Sequence, residues 1–410
     1  MPPWVLTEMK YVIVQGDGMS DFPVDSLGGL TPLQKAHTPN MDRLAAGGRL
    51  GLVRTIPPGF PSGTDVGTMS ILGYDPARYH TGRSPIEAAS MGVDLSPTDV
   101  AFRCNLVTIA GSGEGGTMAD FTAGHVSSED AAELMAAIEE ELGGGEMSFH
   151  AGVSYRHLMV WHDGHAGART TPPHDITDQV VDPYLPSGEG SETLIELSLR
   201  ARALLAGHPV NDRREADGEK RVTDIWLWGQ GHRPDMPTLE QRFGLRGGVI
   251  TAVDVVGGLG RLAGLDRIDV PGITGFVDTN YVGKGEYALE SLKDLDLVFI
   301  HVEATDESGH MGDADLKVSA IEDLDEKVIG TVLAGLDSLG DWRMMVLPDH
   351  ATPVSTRTHA DDPVPFVIYD SRDAGGEKGS GLGYSESTAA RTGDFVDAGY
   401  GLIEQFLDLS

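Results

Sequence analysis

Three short apolar runs in this sequence each lead into side chains that could do chemistry. Tyr11–Val14 runs into Gly16-Asp17-Gly18, Leu295–Val302 precedes Asp306 and His310, and Met344–Leu347 precedes Asp349-His350. His359 follows His350 closely enough to fold back beside it. Carboxylates and neutral imidazoles are ligands for Zn²⁺ or Mn²⁺, and this set suffices for two ions sharing one pocket. Singly, the pieces have plainer readings: Asp306 and His310 fit a capping Asp with a loop His, and Asp349-His350 fits a turn before Pro353. Their joint occurrence at three strand ends points to a metal centre. A hydroxyl joins them, because Pro57–Ser70 is a Pro/Gly-rich loop entering a helix that starts around Thr64. A helix start suits a phosphate group.

The elements that must position these residues alternate. The β-branched run at Tyr11–Val14 reads as a buried strand, and strand ends of α/β proteins are where ligands bind. Thr38 and Pro39 read as N-cap and first residue of a helix that Gly47-Gly48 stops. From Glu192 the pattern gives an amphipathic helix (Leu194, Leu197, Ala201, Leu204, Leu205), a polar linker at Asn211–Lys220 and a strand at Asp224–Trp228. Ile321, Leu324, Val328, Val332 and Leu336 trace a helical stripe, and Gly375–Gly383 reads as a loop. Strand–helix alternation predicts an α/β fold, a mostly parallel sheet covered by helices on both faces. Between about Ala101 and Asp182 the pattern changes, with strands at Ala101–Ile109 and Ser154–Trp161 around an acidic helix, Ser128–Leu142. That block reads as a small α/β insertion, which predicts a discontinuous core of residues 1–97 and 188–410 around an inserted lid of 98–187.

Composition narrows the function classes. The 410 residues are 40% hydrophobic, enough for a large core, and carry 30 Lys+Arg against 63 Asp+Glu, a net charge of −33. Such acidity repels nucleic acid and anionic lipid, so neither is an expected partner. An anionic substrate then calls for a local basic pocket or bound cations. The single cysteine, Cys104, cannot form an internal disulfide and reads as a buried thiol. Met1–Lys10 lacks a leader pattern, and no apolar stretch approaches the roughly 18 residues of a membrane span; the expectation is a cytoplasmic protein. Gly257-Gly258-Leu259-Gly260 lacks dinucleotide-binding spacing, and Trp226 and Trp228 read as packing.

Together these segments resemble the cofactor-independent phosphoglycerate mutases of the archaeal type, a branch of the alkaline phosphatase superfamily. The resemblance rests on GDGMSD at Gly16–Asp21, HTPNMDRLA at His37–Ala45, GTDVGTMSILGYDP at Gly63–Pro76, YHTGRSPIEAASMGV at Tyr79–Val93, AFRCNL at Ala101–Leu106, DTNYVGK at Asp278–Lys284, DESGH at Asp306–His310, and PDHATP with THADDPVPF at Pro348–Phe366. It spans nearly the whole chain. It implies an alkaline-phosphatase-like core and two divalent metal ions, Mn²⁺ first and Zn²⁺, Co²⁺ or Mg²⁺ as alternatives. One ion would be held by Asp17, Thr64, Asp349 and His350, the other by Asp306, His310 and His359. The family usually has serine where this sequence has Thr64.

An alcohol is a poor nucleophile unless a cation stabilises its alkoxide. Thr64 is therefore the expected phosphoryl acceptor in the interconversion of 3-phosphoglycerate and 2-phosphoglycerate, with Ser62 as fallback. Arg83, Arg103 and Lys284 are the candidate clamps for carboxylate and phosphate, Lys284 and Arg103 with a catalytic part, and His125 is a further lid candidate. Each also fits a salt bridge or a polar flank. Alternatives keep the metals but change the reaction: a phosphatase or phosphodiesterase on another small ester, or a homoserine-kinase-like phosphotransferase. A metal-binding relative without turnover is the non-enzymatic alternative. Oligomeric state leaves no mark in the sequence.

Overall fold

A computed structural model describes residues 9–111, 115–373 and 379–408. The readings of residues 1–8 and of residues 375–378 fall outside that set. In chain order the strands begin with β1 (Lys10–Gly16) and β2 (Arg49–Val53). There follow β3 (Val100–Ala110), β4 (Thr117–Asp120), β5 (Met147–Val153), β6 (Arg156–Trp161), β7 (Ala168–Arg169), β8 (Ser187–Gly188) and β9 (Asp224–His232). The chain ends with β10 (Gly247–Ile250), β11 (Asp266–Arg267), β12 (Leu297–Val302), β13 (Trp342–Leu347), β14 (Val364–Asp370) and β15 (Phe395–Val396). Two compact units result: Met1–His80 with Met236–Ser410, and Thr81–Asp235.

The first unit is built on an eight-stranded sheet of order β11-β10-β12-β1-β13-β14-β2-β15. Only the pairings of β14, with β13 and with β2, are antiparallel. Its central strands are apolar on both faces, as a covered parallel sheet requires: β12 and β13 are buried along their whole length. The helical stripe Ile321, Leu324, Val328, Val332 and Leu336 is completely buried against Val12, Val14, Val298 and Ile300, each such side chain contributing about 1.5–3 kcal/mol by leaving water. A π-helical turn at Leu324–Ile329 interrupts that helix. It presents the Asp325 carboxylate to the backbone N–H groups of Met41 at 2.7 Å and Asn40 at 3.1 Å. Thr38 precedes the helix Pro39–Gly47 as expected but makes no side-chain cap; Asp325, remote in sequence, supplies that acceptor instead.

The second unit has an antiparallel sheet of order β4-β3-β6-β5, with β9 along the other side of β3. Its limits depart from the expected 98–187, and the reason is strand pairing. β9 is antiparallel to β3 from Val100↔His232 to Val107↔Asp224. The helix Ser191–Ala206 packs Leu194, Leu197, Ala201 and Leu205 into one core with Phe102, Cys104 and Leu106. Residues 188–235 therefore belong with the insertion rather than the core. So does the helix Arg83–Met91, whose Ala88 packs against Ala101, Leu158 and Val160. The polar stretch read as a linker contains a helix, Pro209–Ala216, and its Asn211 is fully buried, bonded to the carbonyls of Leu205 and Val222. Cys104 is a buried free thiol. Among the described residues no helix is long and apolar enough to cross a membrane.

Candidate metal centre

Strands β12, β1 and β13 lie side by side and parallel, with Gly16 opposite Val302 and Gln15 opposite Leu347. Their carboxyl ends therefore coincide, and the residues that follow converge: Asp17 after β1, Glu303 and the helix Ala304–Met311 after β12, and Asp349-His350 after β13. Two glycines permit the crowding. Gly18 has φ of 55°, and a side chain there would collide with Asp306 and Thr352. Gly67 lets the helix Thr64–Ile71 lie against the Asp349 backbone, where a Cβ would come within 2.7 Å of the carbonyl oxygen.

Among the described residues four groups of potential ligand atoms result, and two of them consist of expected ligands alone, Asp17 with Asp349 and His350, and Asp306 with His350 and His359. His350 belongs to both. Its Nε2 is 3.2 Å from Asp349 Oδ2 and 3.5 Å from Asp17 Oδ1. Thr64 Oγ1 stands 3.5 Å from the same nitrogen. His310 Nε2 is 3.1 Å from Asp306 Oδ2 and 2.9 Å from His359 Nε2. All seven expected ligands thus lie in one neighbourhood.

The hydrogen bonds behind the imidazoles fix which nitrogen faces the cluster. Backbone carbonyls can only accept, so His310 donates its Nδ1 proton to Arg357 O at 3.0 Å and His359 its own to Ser62 O at 3.2 Å. Thr352 Oγ1 donates to Asp306 Oδ1, which leaves it to accept from His350 Nδ1 at 3.2 Å. Three Nε2 atoms therefore point at a common region. Metal-ligating histidines are held in this way, with the far nitrogen bonded to an outer acceptor.

The carboxylates make the same case. Asp17 Oδ1, Asp349 Oδ2 and Glu303 Oε2 are buried without a hydrogen-bond partner. Burial, then repulsion from Asp349, Glu303 and Asp306, raises Asp17 well above the usual carboxylate range. Burial and Asp306 likewise push Glu303 up to about 8. Burial pushes Asp306 up too, but its contacts with His310 and His359 more than reverse that and hold it low. The Asp306 contact lifts His310 to about 9. Buried like charges and facing lone pairs are costly unless protons or cations lie between them. The donor set, oxygen and imidazole nitrogen, fits divalent cations such as Zn²⁺ or Mn²⁺.

Several residues here escaped the sequence reading. His301, on β12, donates from Nε2 to Asp17 Oδ2 at 2.7 Å and accepts at Nδ1 from Thr251 Oγ1 at 3.1 Å, so it orients Asp17. Glu303 and Thr352 were missed as well. The available signal was position alone, since His301 and Glu303 flank the last residue of a strand already marked as delivering ligands.

The candidate clamps are divided between the units. Lys284, in the helix Tyr281–Ser291, is buried with its Nζ 2.8 Å from the His301 carbonyl, and burial lowers it to about 8. Arg83, Arg103 and His125 belong to the second unit. Arg103 and Arg83 share Glu87, at 2.8 and 3.2 Å, and the Arg103 guanidinium lies over the Trp228 ring at 4.7 Å. Arg103 Nε has no partner. His125 adopts a positive φ of 52° and meets the Tyr155 ring edge-on. Ser62 contributes its carbonyl to His359.

A family model described as 2,3-bisphosphoglycerate-independent phosphoglycerate mutase matches residues 45–211. The chain is 49% identical over 400 residues to a probable 2,3-bisphosphoglycerate-independent phosphoglycerate mutase of Geobacter sulfurreducens, covering 98% of this chain and 100% of that one. It is 50% identical over 364 residues to the Methanosarcina barkeri enzyme of that description, covering 88% and 90%. Among solved structures, a Pyrococcus horikoshii protein is similar with a TM-score of 0.82 at 30% identity, covering 98% and 97% of the two chains. A cofactor-independent phosphoglycerate mutase from Thermoplasma acidophilum is similar with a TM-score of 0.69 at 28% identity, covering 98% and 99%.

Proposed function

Because the chain belongs to the 2,3-bisphosphoglycerate-independent phosphoglycerate mutase family, we propose that it interconverts 3-phosphoglycerate and 2-phosphoglycerate through a phosphorylated Thr64. The observation that carries the nucleophile is the position of Thr64 Oγ1, first residue of a helix and 3.5 Å from His350 Nε2 at the centre of the carboxylate–imidazole cluster. Asp17, Asp349 and His350 with Thr64, and Asp306, His310 and His359, are the residues that would hold two divalent cations. When bound, such cations lower the pKa of an alcohol and neutralise phosphate oxygens.

The chain's own residues do the rest. Thr64 Oγ1 forms a bond to phosphorus as the bond to substrate O3 breaks, and the Thr64 proton ends on the O3 hydroxyl of the glycerate. The glycerate is kept and re-aimed, its O2 takes the phosphoryl group, and Thr64 regains a proton. The helix amide end behind Thr64 favours the negative charge of the transferred group. His301 and Thr352 hold Asp17, Asp306 and His350 in orientation, and Lys284 fixes the His301 backbone. Arg83 and Arg103, whose guanidinium groups match carboxylate and phosphate, are the candidate clamps for the anionic substrate, with His125 a further candidate.

The test is to supply 3-phosphoglycerate with Mn²⁺ and follow 2-phosphoglycerate and free phosphate together. Formation of 2-phosphoglycerate, abolished by a chelator and restored by Mn²⁺, is the expected result. Release of free phosphate without isomer would make the protein a phosphatase, and full turnover in metal-free protein would overturn the two-cation reading.

A further inference from the structure

The second unit holds a line of four polar side chains at one edge of its sheet. Ser148 and His150 lie two residues apart on β5 and so share a face. His162 follows β6 and is tied down by its backbone N–H on the Glu146 carbonyl at 2.7 Å. Ser148 Oγ is 3.1 Å from His162 Nε2 and 3.1 Å from His150 Nε2. On its other side His162 Nδ1 is 3.2 Å from Asp99 Oδ1. Asp99 is buried, and its Oδ2 accepts the Ser96 N–H at 2.8 Å.

Donor and acceptor rules order this line. A carboxylate accepts, so His162 donates from Nδ1 to Asp99 and keeps a lone pair on Nε2. Ser148 has one proton, which goes to that lone pair. His150 must then donate its Nε2 proton to Ser148 Oγ. Hydrogen bonds run from His150 to Ser148 to His162 without conflict, and the Asp99 carboxylate stands 3.2 Å beyond His162 Nδ1. Burial holds His150 below the ordinary imidazole value, and Asp99 lies below the ordinary carboxylate value: burial raises it, and the Ser96 and His162 contacts outweigh that. Both shifts favour the neutral imidazole and ionised carboxylate that the order requires.

We propose that Ser148 is the nucleophile of a second site, independent of metal, that takes neutral activated carboxylic esters. A hydroxyl within reach of a base that is itself oriented by a third group is the arrangement of an activated serine. Ser148 and His162 both retain solvent exposure, so a small ester can reach them. The acidic residues nearby in sequence, Glu146 and Asp163, disfavour an anionic ester. In the first step Ser148 Oγ bonds to the acyl carbon, its proton passes to His162 Nε2, and the carbonyl pair moves onto oxygen, to which His150 Nε2–H can donate. The pair returns, the alkoxide or phenolate leaves and takes the proton from His162. Water then attacks the acyl-Ser148, giving its proton to His162 and finally restoring the Ser148 hydroxyl as the carboxylic acid departs. His162 is the base; Asp99 is a positioning residue.

The full chain, with chelator present to silence the metal centre, is treated with p-nitrophenyl acetate. Nitrophenol release is followed, and the acetylated residue is located by peptide mass. The expected result is a burst with acetyl on Ser148, absent in Ser148→Ala and slowed about a hundredfold or more in His162→Gln. Asp99→Asn is expected to slow acylation and to move His162 to its other tautomer, read by nitrogen NMR, with the thermal midpoints of all variants confirming that they fold. No acetyl on Ser148, acetylation confined to another residue, or an Ser148 acylation rate unchanged by His162→Gln would each overturn the proposal.

Discussion

Thr64 and Thr352 are both hydroxyl residues at the candidate metal centre, yet their bonding assigns them different work. Thr64 faces the ligand side of His350, whereas Thr352 bonds the far side of His350 and a carboxylate oxygen of Asp306. Thr64→Ala is therefore expected to abolish phosphoryl transfer while leaving the fold and most metal binding intact, because the carboxylate and imidazole ligands remain. Thr64→Ser should retain or raise turnover, since it keeps the hydroxyl and removes a methyl beside the attacking oxygen. Turnover and thermal midpoint decide this: a folded and fully active Thr64→Ala would remove Thr64 as the nucleophile. Thr352→Val should act otherwise. It leaves every ligand in place but frees His350 and Asp306 to turn, and loss of such an outer partner typically weakens metal binding about 10–100-fold. Mn²⁺ titration of the variant checks this, with Thr352→Ser expected to recover affinity.

At the scale of elements, the strands that deliver the ligands were legible because buried parallel strands are continuous apolar runs bounded by glycine or charge. Tyr11–Val14 and Met344–Leu347 lie inside β1 and β13, and the helix Ser128–Leu142 has the predicted bounds. What the sequence hid depends on contacts between distant segments. No local pattern announces that β9 pairs with β3, or that Asp325 caps a helix 284 residues away at Met41. Lys317 is another such case. Its ammonium, buried between loops, donates to Asp21 Oδ2 at 2.8 Å, Thr352 O at 2.8 Å and Ser20 O at 3.1 Å. It thus fastens the loop after Asp17 to the loop after His350. Lys317→Met should destabilise the protein by about 3–5 kcal/mol, because it leaves the Asp21 carboxylate buried and unpaired, whereas Lys317→Met with Asp21→Leu should recover much of that loss. Denaturant unfolding of the single and double variants measures the difference; equal losses would mean that the pair's charges are not what holds the loops.

For the whole molecule, a net charge of −33 sets the long-range field. That field attracts divalent cations and repels a phosphorylated, carboxylate-bearing substrate, so salt should act on the two in opposite directions. The Debye length shrinks from about 30 Å at 0.01 M to about 8 Å at 0.15 M ionic strength. Over that range the attraction for Mn²⁺ is screened and its Kd should rise. At saturating Mn²⁺, screening instead removes a barrier to substrate approach, so kcat/KM should increase while kcat, which refers to bound substrate, changes little. Most basic enzymes that steer anionic substrates show the reverse, since salt weakens a favourable field. The measurement is a series of kcat/KM values at fixed pH and saturating metal, with an inert salt of monovalent ions. A fall in kcat/KM across the series would mean that the field at the mouth of the site is positive despite the charge of the chain, and that local positive charge dominates the approach of substrate.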